Sequence, residues 1–273
     1  MTAISAPAPA RRGSDASLTW RWILARVRMT LRSPRALGFT FAFPLVLVVL
    51  FNAINGDVKV ASMGPAGGDV TFAQYYTPSI GVFSLTIACY TSMLIGVATA
   101  RENGLLKRVR GTPLPMPIYL GSWIAGAVLV GLSAVLLLFV VAVPAFGVHV
   151  YPRMLPAALV TAVLGAACLA AVGLALGTFA KNAEQAQPLA QLTFLPVSFI
   201  SGVWFPLSGA PDWLVSLAHL FPLYHIVAAF DACFAPQTQG AGFSGHDLLV
   251  IAAWAVGGLV VATRRLRKQV EEG

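Results

Sequence analysis

The stretch IYLGSWIAGAVLVGLSAVLLLFVVA, residues 118–142, decides the fold class of this chain. It carries no charged side chain and exceeds the roughly 20 apolar residues that an α-helix needs to cross a bilayer. The rest of the chain has the same character, because 58% of its 273 residues are hydrophobic and 10% are charged. Soluble domains carry about 25% charged residues. The sequence therefore predicts an all-α, polytopic integral membrane protein.

Similar apolar segments flank this stretch on both sides. Each approaches the length of a spanning helix, and none has Asp, Glu, Lys or Arg in its interior. A charge inside the bilayer is costly and usually marks an ion or proton path, so we expect neither a proton-coupled pump nor a selective ion channel. The six predicted spans cover residues 36–54, 76–99, 118–142, 155–180, 187–206 and 247–263.

The basic residues are divided unequally between the two sides of these spans. Of 18 Lys and Arg residues, only Lys59 and Arg153 fall on one side, and the others flank the opposite ends of the spans. Loops rich in Lys and Arg stay in the cytoplasm. We therefore predict a multi-pass protein of the cell membrane with both termini in the cytoplasm. The same distribution accounts for the net charge of +8, and we expect no nucleic-acid partner.

The chain before the first span divides into two parts. Residues 1–16 are rich in Ala, Pro, Ser and Gly, which predicts a disordered tail, and residues 17–273 form a single transmembrane domain. Residues 17–34 are predicted to form an amphipathic helix in the cytoplasmic interface. This helix either anchors the first span or also forms part of a docking surface for a cytoplasmic partner. Its defining residues are Trp20, Arg21, Ile23, Leu24, Val27 and Arg28.

A charged loop, RENGLLKRVRGTPLP at residues 101–115, separates the second span from the third. Gly104 gives it conformational freedom, and Pro113 and Pro115 stiffen the return to the membrane. The residues between them can form one or two amphipathic helical turns. Two interpretations stay open. The charges either hold only the orientation of the chain, or the loop is a lever on which a soluble partner pushes.

This loop resembles the cytoplasmic loop of ABC-2-type permeases, the membrane subunits of ATP-binding-cassette exporters. The family pattern is Arg-Glu-x-Gly-Thr-x-x-x-Leu-x-x-Thr-Pro-Leu, and this chain has Leu105 where the pattern has Thr. The matching residues are Arg101, Glu102, Gly104, Thr112, Pro113 and Leu114. A second stretch, SGVWFPLSGAPDWLVSLAHLFPLYH at residues 201–225, is similar to another family run. Its matching residues are Ser201, Gly202, Phe205, Pro206, Pro211, Leu214, Phe221 and Pro222.

The resemblance implies the permease half of an ATP-driven exporter of the drug- and natural-product-resistance type. Its partners would be an ATP-binding-cassette ATPase subunit, a second permease copy or a sister permease, and the lipid bilayer. ATP and Mg would bind the ATPase subunit, and no cofactor would bind this chain. The residues expected to contact that subunit are Arg101, Glu102, Asn103, Gly104, Leu105, Leu106, Lys107 and Arg108.

The residues themselves agree with a division of labour. The chain has no Gly-x-x-x-x-Gly-Lys-Ser/Thr loop and no arrangement of catalytic side chains, so we expect no enzyme activity. The mostly apolar spans favour an amphipathic or hydrophobic substrate, such as a drug, a natural product or a lipid. A non-transporting membrane scaffold or sensor that docks a cytoplasmic partner is the alternative.

The segment after the fifth span is apolar but broken by prolines. It predicts two short re-entrant or interfacial helices on the outer side, at about 211–220 and 223–234. The nearby His and Asp residues match no metal-ligand spacing, so no metal site is expected. These residues are His219, His225, Asp231, His246 and Asp247. The three cysteines, Cys89, Cys168 and Cys233, are expected to be packing residues.

Spans four and five carry features beyond apolarity. In span four, Gly173 and Gly177 have the spacing that permits close helix contact, either within the chain or at a subunit interface. Span five is polar and contains two prolines, which suits a pathway wall and equally suits packing. The residues assigned to a pathway are Gln191, Phe194, Ser198 and Ser201.

Overall fold

The computed structural model describes residues 23–24, 27–28, 32, 38–55, 58–61, 69–104, 116–207 and 209–271. These residues are mostly helical, as the sequence predicts, and their one sheet is a short antiparallel hairpin. The helices are α1 (Phe43–Asn55), α2 (Phe72–Leu85), α3 (Ser92–Glu102), α4 (Met116–Phe146), α5 (Leu155–Gly177), α6 (Ala183–Ile200), α7 (Asp212–Ala218), α8 (Pro222–Ala232) and α9 (Gly245–Glu271). The strands are β1 (Lys59–Ala61) and β2 (Asp69–Thr71).

Five helical segments of the described chain are long and apolar enough to cross a membrane. They coincide with predicted spans one to four and six. Span two starts earlier than predicted because the side chain of Thr71 accepts a hydrogen bond from the backbone N–H of Gln74, which caps α2. The five segments are Gly38–Asn55, Phe72–Glu102, Tyr119–Phe146, Pro152–Gly177 and Gly245–Leu266.

The second of these segments is one long helix with an irregular middle. A π-helical turn at Thr86–Thr91 joins α2 to α3. The hydroxyl of Thr86 donates to the carbonyl oxygen of Val82 at 2.9 Å, and the thiol of Cys89 donates to that of Ala127 on α4 at 3.3 Å. The turn therefore holds a polar side chain within its own helix and also contacts the neighbouring helix.

The predicted fifth span, 187–206, corresponds only in part to α6. This helix begins at Ala183, because the side chain of Asn182 accepts a hydrogen bond from the backbone N–H of Gln185 and caps it. It ends at Ile200, before the tight turn in which Gly202 has a φ of +80°. Acidic and amide side chains in its first turns keep α6 out of the five apolar segments. Its role as a span stays a prediction.

The two short helices predicted after span five are present as α7 and α8. Their axes differ in direction by 95° across a short break. Pro222 occupies the first turn of α8, where a missing N–H costs nothing, and Phe221 before it is extended. The pair together is long and apolar enough to count as one bent span, which would raise the total to six. A re-entrant position in the membrane stays a prediction.

Glycines bring α5 into backbone contact with its neighbours. A Cβ atom at Gly173 would lie 2.3 Å from the carbonyl oxygen of Tyr90, and one at Gly177 would lie 2.7 Å from that of Leu94. On the other side of α5, a Cβ atom at Gly258 of α9 would lie 2.9 Å from the carbonyl carbon of Ala171. The Gly-x-x-x-Gly spacing of α5 therefore serves packing inside this chain.

At the end of the bundle opposite to the charged loop, the side chain of Gln74 joins two loops to α2. This amide is buried, donates to the carbonyl oxygens of His149 at 2.9 Å and Phe234 at 2.7 Å, and accepts from the N–H of His149 at 2.7 Å. One side chain of α2 thus satisfies backbone groups of two loops, one after α4 and one after α8. An amide in this position replaces water as the hydrogen-bond partner of both loops.

Replacing Gln74 with leucine is expected to lower the free energy of unfolding by about 2 kcal/mol, because three backbone groups, one of them at the buried residue Phe234, lose their hydrogen-bond partner. In thermal unfolding of the detergent-solubilised chain this corresponds to a midpoint lower by about 4–8 °C. Gln191→Leu is the matched control, since its side chain is exposed on α6. Equal midpoints for the two variants would contradict the proposed role of Gln74.

Candidate functional site

The charged loop leaves the helical bundle at the end of α3. Arg101 and Glu102 are the last residues of this helix, and Asn103 follows as its cap. Gly104 has a φ of +64°, a backbone conformation that favours glycine, so the chain turns sharply here. This agrees with the freedom that the sequence assigns to Gly104. The other expected contact residues, Leu105, Leu106, Lys107 and Arg108, lie outside the described residues.

The guanidinium group of Arg101 is bound to the end of α5. Its Nη1 donates to the carbonyl oxygens of Thr178 at 3.0 Å and Ala180 at 2.9 Å. Carbonyl groups at a helix C-terminus lack partners within the helix and form its negative pole. The half-buried guanidinium therefore satisfies the carbonyl group of the cap residue Thr178 and that of Ala180, two residues beyond it.

The carboxylate of Glu102 is bound to the start of α6. Its Oε2 accepts the backbone N–H of Ala183 at 3.0 Å, at the positive pole of that helix. Two adjacent side chains of α3 thus hold opposite ends of the connection between α5 and α6. We name this arrangement, formed by residues 101–102 and 178–183, the charged clasp.

The charged clasp changes the interpretation of the predicted contact residues. Sequence reasoning assigned both charges to a partner, whereas the structure turns Arg101 toward its own chain. Glu102 is exposed, so its carboxylate can still meet a soluble surface. Sequence reasoning missed residues 178–183. The capping residue Asn182, directly after Lys181, was the available signal of a helix start at this end.

The predicted interfacial helix is described only in part. Ile23, Leu24, Val27 and Arg28 have helical backbone, and the N–H of Arg32 donates to the carbonyl oxygen of Arg28 at 3.0 Å. Val27 packs against the core, whereas Leu24 and Arg28 are exposed. Trp20 and Arg21 lie outside the described residues. The position of residues 17–34 in the membrane interface stays a prediction.

A cavity of about 780 Å³ lies between α5, α6 and α9, and the π-helical turn and the start of α8 also contribute to its wall. Ligand sites in proteins commonly measure about 300–1,000 Å³. Its wall is apolar and aromatic, with Phe194 of α6 and Trp254 of α9 among the largest side chains. The polar groups at its surface include the hydroxyls of Tyr90 and Thr193, which are hydrogen-bonded to each other. The arrangement suits a largely apolar molecule.

The four residues assigned to a pathway occupy different environments. Phe194 lines the cavity, and Gln191 is exposed on the outside of α6. Ser198 and Ser201 are fully buried elsewhere. The hydroxyl of Ser198 donates to the carbonyl oxygen of Leu195 at 2.8 Å and accepts the indole N–H of Trp204 at 3.1 Å. The structure of the single chain therefore brings one of the four to the cavity.

A histidine joins the bend between α7 and α8 to the start of α9. Nδ1 of the buried His225 lies 2.7 Å from Oδ1 of Asp247, and Nε2 lies 3.0 Å from the carbonyl oxygen of His219. Ser244 donates to the other oxygen of the same carboxylate. His246 is near enough that one ligand atom from each of the three side chains falls within 4.8 Å of the others. Both ring nitrogens of His225 already face oxygen acceptors, so the cluster is a structural tie.

The three cysteines are buried, in agreement with their expected packing role. Burial and, to a lesser extent, the nearby charge of Asp231 raise the pKa of the Cys233 thiol to about 12. A thiol with this pKa stays protonated at neutral pH and is a poor nucleophile or metal ligand. Cys233 therefore contributes volume and not chemistry.

Apolar helices of spanning length, a charged connection at one end and a cavity between the helices define a multi-pass helical membrane protein. Its sequence matches the model of the ABC-2 family transporter protein family over residues 55–263, most of the chain. The chain belongs to the ABC-2 transporter family, as the resemblance of its loop motifs indicated.

Individual relatives agree with this assignment. The inner membrane transport permease YadH of Escherichia coli (strain K12) is 22% identical over 191 residues, which cover 70% of this chain and 73% of YadH. YadH of Shigella flexneri has the same identity and coverage. The YvfS protein of Bacillus subtilis (strain 168) is 21% identical over 247 residues, which cover 90% of this chain and 96% of YvfS.

Membership defines the role of the chain at a coarse level. It is a transport permease of the ABC-2 type, a transmembrane component of a transport system that is not itself catalytic. Such permeases generally work with an ATP-binding-cassette ATPase partner. The expected absence of enzyme activity on this chain follows from that role.

Proposed function

We propose that this chain is the permease half of an ATP-driven exporter that moves an amphipathic or hydrophobic substrate out of the cell. The observation that carries the proposal is the charged clasp. It connects the loop expected to receive the ATPase stroke to the connection between α5 and α6, and both of these helices line the cavity. A displacement of the loop would therefore be transmitted to α5 and α6.

The distribution of charge supports a cytoplasmic position of the charged clasp. Arg265 of α9 stacks on Phe179 at the same end of the bundle, and Lys181 lies within the clasp connection. Arg153 lies at the opposite end, where it donates to the carbonyl oxygen of Thr238. Because Lys- and Arg-rich ends stay in the cytoplasm, both termini would be cytoplasmic. The ATPase subunits, with ATP and Mg bound to them, would lie beneath this end.

The exposed face of α6 supports a second permease copy or a sister permease. Gln191, Leu192, Leu195 and Phe199 fall on one side of the helix and are exposed in the single chain. They include one of the residues assigned to a pathway. A pathway built between two permeases would place Gln191 at its wall.

Coexpression with the ATPase subunit tests the proposal. The two chains are expected to copurify, and in proteoliposomes amphipathic substrates should stimulate ATP hydrolysis and accumulate in inside-out vesicles only when ATP is present. An ATPase variant without its catalytic carboxylate is the control for energy dependence. Copurification without any ATP-dependent movement would favour a scaffold or sensor. A chain that does not associate with the ATPase would overturn the proposal.

A further inference from the structure

We propose that the cavity between α5, α6 and α9 holds an acyl chain of an anionic phospholipid, and that its headgroup binds beside Arg265. The lipid would come from the leaflet that contacts the charged end of the bundle. This would be a resident lipid site and is separate from the transport of any substrate. Three features carry the inference: the length of the cavity, its exposure to the side, and the basic residues at its mouth.

The length of the cavity matches one leaflet. Its wall follows α5 from Leu169 to Phe179 at the helix end, and α9 from Ala253 to Val261. At a rise of about 1.5 Å per residue, these stretches run about 12–15 Å along the helices. Half of a hydrocarbon core of about 30 Å is about 15 Å. From the charged end of the bundle, the apolar space therefore runs along α5 and α9 for about the depth of one leaflet.

The cavity opens at the side of the bundle. Phe179, Trp254 and Val261 all line it, yet they are 50%, 38% and 42% exposed. An interior void would be lined by fully buried side chains. Within a bilayer, a lateral opening of this kind is filled from the surrounding lipid without a passage through water.

The mouth of the cavity at the charged end is basic. The guanidinium carbon of Arg265 lies 3.7 Å from the ring centroid of Phe179, so the cation is directly above a residue of the cavity wall. Arg264, Lys268 and Lys181 are also exposed at this end. Among the side chains that the structure describes, no carboxylate lies within 4.0 Å of a charged nitrogen of these four.

Unpaired cations at the mouth of the apolar cavity select for a particular kind of lipid. A guanidinium group binds phosphate oxygens through paired N–H donors, and basic pockets between membrane helices bind anionic headgroups. A zwitterionic lipid would fill the cavity equally well but would leave the positive charge of the cations uncompensated. The described carboxylates of Glu102 and Glu184 both lie more than 4.0 Å from the charged nitrogens of these four residues.

Native mass spectrometry of the purified full chain tests this inference. We expect phosphatidylglycerol to be retained at one copy per chain, at least about tenfold more than phosphatidylcholine at equal concentration. Arg265→Gln should remove this selectivity. Lys59→Gln, which removes a basic residue near the other end of the bundle, is the matched control and should leave the selectivity unchanged.

A second variant tests the cavity itself. A Cβ atom at Gly257 would meet nothing within 4 Å, so Gly257→Leu places a side chain in the cavity without a backbone clash. It should abolish lipid retention, whereas Gly121→Leu, on an equally open position of α4, should not. Retention of both lipids alike by the unaltered chain would overturn the inference, as would full retention by Gly257→Leu.

Competition of a transported substrate for phosphatidylglycerol would assign the cavity to that substrate instead. The measurement needs neither ATP nor the ATPase, so its failure is distinguishable from a failure of the proposed export function.

Discussion

A valine at position 173 is expected to reduce the yield of folded protein at least about tenfold. Even the first side-chain atom would lie 2.3 Å from the carbonyl oxygen of Tyr90 and 2.9 Å from its Cα atom. Both are backbone atoms of the π-helical turn, which cannot move aside as a flexible side chain would. Forced insertion into a packed core costs about 1–3 kcal/mol and more when backbone must shift. Native proteins are stable by only about 5–15 kcal/mol.

The yield and thermal midpoint of Gly173→Val are measured by fluorescence-detected size-exclusion chromatography. Gly121→Val is the matched control, because a Cβ atom at Gly121 of α4 meets nothing within 4 Å. Gly173→Ala should give an intermediate loss, since its single added carbon already clashes. A Gly173→Val protein with the yield and midpoint of the control would show that α5 and the π-helical turn are not in contact in solution.

Replacing Arg101 with alanine is expected to lower ATP-dependent transport about tenfold while the ATPase subunit stays bound. The substitution removes both hydrogen bonds to the end of α5. Hydrogen bonds of a charged donor contribute about 1.5–3 kcal/mol each, and partial exposure places these two at the low end. Movement of the loop would then no longer reach the connection between α5 and α6. Substrate-stimulated ATP hydrolysis measures the activity of the ATPase subunit, and uptake into inside-out proteoliposomes measures transport.

Glu102 provides a graded comparison for this experiment. Glu102→Gln keeps a carbonyl oxygen that accepts the N–H of Ala183, so most of the coupling should survive, whereas Glu102→Ala should lose it. Lys59→Gln serves as the control for a change of one charge. If the Arg101 variant inverts in the membrane, the charges hold the topology of the chain. If it keeps both its orientation and full coupling, the charged clasp has no mechanical role.

The elements that sequence reasoning located were those with a local cause. Long apolar runs predict spanning helices, the prolines before α7 and α8 predict short pieces, and the spacing of Gly173 and Gly177 predicts a close contact. The end of α6 at Ile200 was missed because the apolar pattern continues past it into a glycine turn. The π-helical turn has no signal either, since its hydrogen bonds shift by one residue without any change in polarity.

The functional arrangement depends on contacts that no local pattern encodes. Arg101 and Thr178 are far apart in the sequence, and a basic residue before a glycine has many alternative partners. The pathway assignment used polarity as its guide, yet the hydroxyl of Ser198 bonds to the preceding helical turn. A polar side chain in a membrane helix can satisfy itself in this way, so polarity alone does not identify a lining residue. The cavity lies among residues whose apolar character resembles the rest of the spans.

The π-helical turn between α2 and α3 sets the azimuth of the charged clasp. A turn of this kind holds about one residue more than an α-helical turn. Each residue of an α-helix advances the chain by about 100° around its axis. The side chains of α3, which include Arg101, are therefore rotated about the helix axis relative to the positions that an uninterrupted α-helix from Phe72 would give them. Without that extra residue, Arg101 and Glu102 would point about 100° away from α5 and α6, and neither side chain would reach the connection between these two helices.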